Sequence, residues 1–204
     1  MSQVPVLTAL ALLAGVFFVV AAHSAPVLFS AHPLAMLLGM GVLPTIAIGE
    51  MRLKAQARTT AEKETRVKNH IYVQLGAVVT TLVGFAAIYV NKERNGRDHF
   101  QTTHAYWGLA ALCMVGVMAP MALYTTFFAS KRTQYLWRDL NHRVFGYAVV
   151  TVAGVATYFG MQSLGTLDAE LQTTATYACA TASALVVLSA VVGRSDGGVA
   201  KKNS

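Results

Sequence analysis

Residues 102–129 read TTHAYWGLAALCMVGVMAPMALYTTFFA. The run holds no Asp, Glu, Lys or Arg. It exceeds the roughly 20 helical residues needed to cross the hydrocarbon of a bilayer. A soluble domain would break such a block with a polar face. Here the one side chain that takes up a proton near neutral pH is His104, close to the start. A membrane span with a histidine near one end is the unit from which the rest of the chain can be read.

Working outward, five more apolar blocks occur, at about 4–22, 26–50, 67–90, 140–162 and 171–193. The expected fold is all-α: a six-helix transmembrane bundle forming one domain over 1–193, with a short tail at 194–204. The composition agrees, with 55% hydrophobic and only 12% charged residues, where soluble proteins carry about 25% charged. Pro33, Pro44 and Pro120 fall inside spans, which membrane helices tolerate where neighbours re-satisfy the backbone. The first block lacks a preceding Lys or Arg and is longer than a signal core, so it is read as a retained helix. Cys113 and Cys179 sit inside apolar blocks and read as small buried residues without a disulfide. No CxxC or CxxCH occurs, against a structural zinc site or covalently attached haem.

The net charge of +7 could signal nucleic acid, but the basic residues lie between spans, where topology explains them. With six spans, both termini and the 2–3 and 4–5 loops share one side. That side collects Arg52, Lys54, Arg58, Lys63, Arg66, Lys68, Lys131, Arg132, Arg138, Arg143, Arg194, Lys201 and Lys202. The opposite side has Lys92, Arg94 and Arg97. The positive-inside rule therefore puts both termini in the cytoplasm or its organellar equivalent. The stretch from Lys54 to Lys68 is polar and reads either as a loop or as an extension of the third helix.

Four histidines, His32, His70, His104 and His142, each lie near the start of a different span, the second to the fifth, at spacings of 38, 34 and 38 residues. Polar residues at membrane depth are costly and usually functional. Successive helices alternate in direction, so His32 meets His104 in the non-cytoplasmic leaflet and His70 meets His142 in the cytoplasmic one. Facing imidazoles on neighbouring helices suit six-coordinate haem iron, with both axial positions filled for electron transfer. The expectation is a four-helix di-haem core holding two haem b per chain. Gly39, Gly84, Gly108 and Gly146 fall on the same helix faces as the histidines and would let a porphyrin approach. Irons roughly 15–20 Å apart follow from ligands one to two turns inside each face of a membrane core about 30 Å thick.

The stretches Phe29-Ser-Ala-His-Pro33, His70-Ile-Tyr-Val-Gln74, His99-Phe-Gln-Thr-Thr-His104-Ala-Tyr-Trp-Gly108 and Asn141-His-Arg-Val-Phe-Gly-Tyr147, in this order, resemble the cytochrome b561 family in its short, single-domain form. The resemblance spans about residues 26–162. It implies bis-His haems through His32 with His104 and His70 with His142, and often a homodimer. It also implies electron flow from cytoplasmic ascorbate to monodehydroascorbate or a ferric chelate on the far side. Ascorbate-using members carry a lysine five residues before the third-helix histidine; that position is Thr65 here, with Arg66 and Lys68 nearby.

Haem propionates and ascorbate are anions, so basic residues near the couples are candidate contacts. On the cytoplasmic side these are Arg66, Lys68, Arg138 and Arg143, and on the other side Lys92, Arg94 and Arg97. His99, in or near the 3–4 loop, is a candidate for proton movement or contact with an outer substrate. No nucleotide-binding glycine motif is present, so no NADH or flavin site is visible. The acids read as loop and helix-end residues without a nucleophile–base set. A second reading is a haem-bearing or structural subunit of a larger respiratory or photosynthetic membrane complex. A transporter fits poorly, because the histidines cluster near the faces.

Overall fold

The computed structural model describes residues 3–25, 27–128 and 140–195, with side chains to Ser189. Among the described residues six helices are long and apolar enough to cross a membrane: α1 (Val4–His23), α2 (Leu28–Gln56), α3 (Thr60–Arg94), α4 (Thr103–Phe127), α5 (Leu140–Gln162) and α6 (Ala169–Ser195). No strand occurs among the described residues. The chain is a multi-pass integral membrane bundle.

The polar stretch before His70 is divided: Lys54–Gln56 close α2, residues 57–59 are a short connection, and α3 is helical from Thr60. Thr59 caps α3, its hydroxyl accepting from the Glu62 amide at 3.2 Å, while the Glu62 carboxylate accepts from the Thr59 amide at 3.3 Å. This reciprocal box satisfies donors that a helix start otherwise leaves unpaired. α3 therefore starts well before the apolar run that marks it in the sequence.

α2 is continuous but changes pitch at Leu37–Val42, a π-turn in which the Leu43 amide reaches back to the Leu38 carbonyl. Pro44 follows directly. Proline has no N–H and its ring crowds the carbonyl four residues back, and the wider turn relieves that crowding. The Thr45 hydroxyl donates to the Gly41 carbonyl at 2.8 Å, so this carbonyl is not left bare in the bilayer.

Lipid offers no hydrophobic drive for helix association, so close packing of small residues carries it. A Cβ on Gly39 would lie 2.5 Å from the Thr81 hydroxyl and 2.8 Å from its amide nitrogen, and one on Gly154 2.7 Å from the Ser183 hydroxyl. These glycines fix the α2–α3 and α5–α6 crossings. Behind the bundle, Leu13, Val16 and Val20 of α1 pack with Cys179, Ala182 and Val186 of α6. Cys179 is buried as expected; Cys113 is exposed on α4, against expectation, and both are free thiols.

The four histidine-bearing helices form two hairpins, α2/α3 and α4/α5. Each hairpin is closely packed within itself, whereas α3 and α4, consecutive in the chain, barely touch. The hairpins meet chiefly where the π-turn of α2 abuts α5. Contact at mid-height leaves the two ends apart, and the histidines stand at those ends.

Candidate functional site

The four imidazoles form two couples, each across the hairpins. His32 on α2 faces His104 on α4 with ring centroids 5.9 Å apart, and His70 on α3 faces His142 on α5 at 6.2 Å. The ring planes stand at 77° and 75°. The pairing expected from alternating chain direction is the one observed.

Three of the rings, those of His32, His70 and His104, are also held within their own hairpins. His32 Nδ1 lies 3.0 Å from the Gly84 carbonyl, His70 Nδ1 2.9 Å from that of Ala47, and His104 Nδ1 2.8 Å from that of Ala156. A carbonyl only accepts, so each Nδ1 carries the proton and each Nε2 is left with its lone pair. That is the usual preparation of a metal-binding histidine. His32 and His104 reach their acceptors over the same chain separation of 52 residues, so the second hairpin repeats the anchoring of the first. Ala47 lies fifteen residues beyond His32 on α2. At 1.5 Å per residue the two couples sit about 20 Å apart along the bundle.

Two imidazoles bound to one metal from opposite sides put their centroids about 6 Å apart, since each metal–nitrogen bond is about 2 Å and each ring adds about 1 Å. Both couples match. Among the described residues no group of three or more His, Cys, Asp or Glu converges. Two axial nitrogens suffice where a macrocycle supplies the remaining ligands, so the donor set fits haem.

The glycines divide. Gly108 has open space where a Cβ would project, and Gly146 meets only the Met118 sulfur at 3.9 Å. Gly39 and Gly84 do not face open space. A Cβ at Gly84 would lie 3.0 Å from that of Ala35. The expectation that all four make room for a porphyrin is thus corrected for these two, which serve the α2–α3 contact. A glycine outside the expected set touches a histidine: a Cβ at Gly160 would lie 2.9 Å from both Cε1 and Nδ1 of His104. Gly160 is one turn past Ala156, so a carbonyl and a missing side chain together form the notch for that ring.

The basic candidates are placed unequally. Arg66 is paired with Glu50, Nη1 to Oε2 at 3.2 Å. Lys92 donates from Nζ to the Asp98 carbonyl at 2.7 Å, bracing the α3–α4 loop. Lys68, Arg94, Arg97 and Arg143 are exposed. Arg138 lies outside the described residues. His99 is held by the Glu93 carboxylate at 2.7 Å and stacks on Tyr89 at 4.3 Å; beside it Phe100 adopts a left-handed φ of 53°. Arg52 is buried, not a loop residue, and donates to the Ser189 carbonyl of α6 at 2.6 Å. Glu50 is likewise no bare helix-end acid: its side chain is 16% exposed and also accepts from Asn69 at 3.2 Å.

A membrane bundle with imidazole couples at both ends has the frame of a membrane cytochrome. Comparison with known proteins agrees. The family described as eukaryotic cytochrome b561 matches residues 31–167. Transmembrane reductase CYB561D2 of Mus musculus is 30% identical over 102 residues, covering 50% of this chain and 46% of that protein. The Homo sapiens and Bos taurus proteins of the same name are 29% identical over the same length. The chain spans about half the length of the curated relatives it matches. The chain belongs to the cytochrome b561 family, and haem b is the cofactor of that family.

Proposed function

We propose that the protein carries electrons across the membrane between two b haems, one held by His32 and His104, the other by His70 and His142. The observation that carries this reading is the pair of imidazole couples at iron-bridging distance, 5.9 and 6.2 Å between centroids, at opposite ends of one bundle. The relatives' name, transmembrane reductase, points the same way. Haem bound at each couple supplies reversible one-electron transfer at iron.

The protein's part is to hold and to exclude. The Gly84, Ala47 and Ala156 carbonyls fix the tautomer and ring direction of His32, His70 and His104, so these three imidazoles are set in advance for a metal. His32 with His104, and His70 with His142, would hold the haems, and two imidazoles per haem would favour electron transfer over oxygen chemistry. Exposed Lys68 and Arg143 beside the His70–His142 couple give an anionic donor a local attraction. The excess of basic residues on this side supports a cytoplasmic location for this end. Cytoplasmic ascorbate is then the donor. Monodehydroascorbate or a ferric chelate is the acceptor at the other end, where Arg94, Arg97 and His99 lie. The single transmembrane domain over 1–193 acts with lipid around it, as a monomer or homodimer.

The test is a haem count and sided reduction. The purified protein should show a low-spin b spectrum with two haems per chain. In proteoliposomes holding ferricyanide inside, ascorbate added to the face bearing the 2–3 loop should drive internal reduction. A chain without haem, or vesicles that accept electrons only from quinol, would refute the proposal.

A further inference from the structure

An acid lies beside the His70–His142 couple that the function just proposed does not use. Glu50 is one turn past Ala47 on α2, and Ala47 is the residue whose carbonyl holds the His70 ring. The Glu50 carboxylate accepts from Arg66 at 3.2 and 3.4 Å and from Asn69 at 3.2 Å. Two consecutive turns of α2 thus grip Arg66, Asn69 and His70 of α3. The charges that act on His70 from α2 are Glu50 and Lys54; on His32 at the other end it is Lys92. Arg66 and exposed Lys68 complete the α3 side, and exposed Arg143 follows His142 on α5. Among the described residues Glu50 is the acid at this couple.

A ferric haem carries one more positive charge than a ferrous one. A carboxylate nearby stabilises the ferric state, and in a medium of low dielectric its charge acts at longer range than in water. We infer that Glu50 sets the redox level of the His70–His142 haem, its carboxylate lowering the midpoint potential and Arg66 limiting how far. This rests on the functional reading above. Glu50 is a positioning residue with a field: it does not touch the iron, and it makes the onward step to the His32–His104 couple more downhill.

The two members of the pair have opposite signs, and this gives the test. Full-length protein with its haems, in nanodiscs at fixed pH, is titrated potentiometrically through the visible band. Glu50→Gln should raise one midpoint by the equivalent of about tenfold in the redox equilibrium, ~59 mV for one electron, and leave the other unmoved. Arg66→Gln should lower that same midpoint, and Glu50→Asp should hold it near the wild-type value. If loosened packing were the whole effect, Glu50→Gln and Arg66→Gln would shift it in the same direction, which overturns the inference. Unchanged midpoints in haem-loaded Glu50→Gln overturn the inference alone, while a wild-type chain that binds no haem overturns it together with the functional reading. Should Glu50→Gln lose its haem, the Arg66→Gln and Glu50→Asp shifts decide the matter by the same signs.

Discussion

At the His32–His104 end, two rings lean on carbonyls 52 residues away, one in each hairpin, and the nearby chain closes in a tight loop. At the His70–His142 end the centroid spacing is nearly the same, 6.2 Å against 5.9 Å, but the surroundings are a half-buried acid, a cation and an amide gripping one helix. The ligand geometry repeats and the polar environment does not. On the proposed reading the repeated part is what holding an iron would require at either end, and the part that differs would be free to set potential and to meet different partners.

The broadest break of this comparison is to remove one couple. His104→Ala should halve the haem per chain, spare the spectrum assigned to the His70–His142 site and abolish transmembrane transfer. His142→Ala should do the reverse. Each is read by pyridine haemochrome assay together with low-temperature spectra. The contact between hairpins at the π-turn separates the two ends, so loss of both haems from either change, with the helical content intact, would show one cooperative site in place of two.

A narrower change sharpens the comparison within the His32–His104 end. Gly160→Ala places a methyl 2.9 Å from two atoms of the His104 ring. The ring must shift off the Ala156 carbonyl, and loss of such a supporting bond typically costs 10–100-fold in metal affinity. The expected outcome is about tenfold weaker haem retention at this end alone, measured by haem transfer to apomyoglobin. Gly146→Ala, whose methyl meets only a flexible Met118 sulfur at 3.9 Å, should retain both haems. Equal losses in the two variants would mean that the notch has no special part.

The spans and the couples were readable from the chain because both depend on patterns along it. An uncharged run such as 102–129 has one home, and alternating direction leaves one way to pair four histidines. The acceptors were not readable, because the carbonyls of Gly84, Ala47 and Ala156 look like any others until two helices are brought side by side. Gly39 and Gly84 were expected against haem because they share a face with histidine, but a face does not say what lies across from it. Glu50 was passed over because its pairing needs α2 to run on to Gln56 through the π-turn, with α3 already helical at Arg66. The Thr59-to-Glu62 spacing was a capping signal available in the sequence that would have placed that start.

That cap supplies the smallest effect and separates two explanations of the His70–His142 end. Thr59→Ala removes the acceptor for the Glu62 amide and should cost roughly 0.5–2 kcal/mol of local helix stability. α3 is gripped further in, at Arg66 and Asn69 by Glu50 and at His70 by Ala47. Fraying should therefore stop before Arg66. Amide exchange across Ala61–Glu64 should speed up severalfold, with both haems retained and both midpoints unmoved. Exchange that spreads inward to His70, or a midpoint that drifts with it, would mean that the helix start holds the ligand. The difference between the two ends would then belong to where α3 begins, not to the acid that meets it.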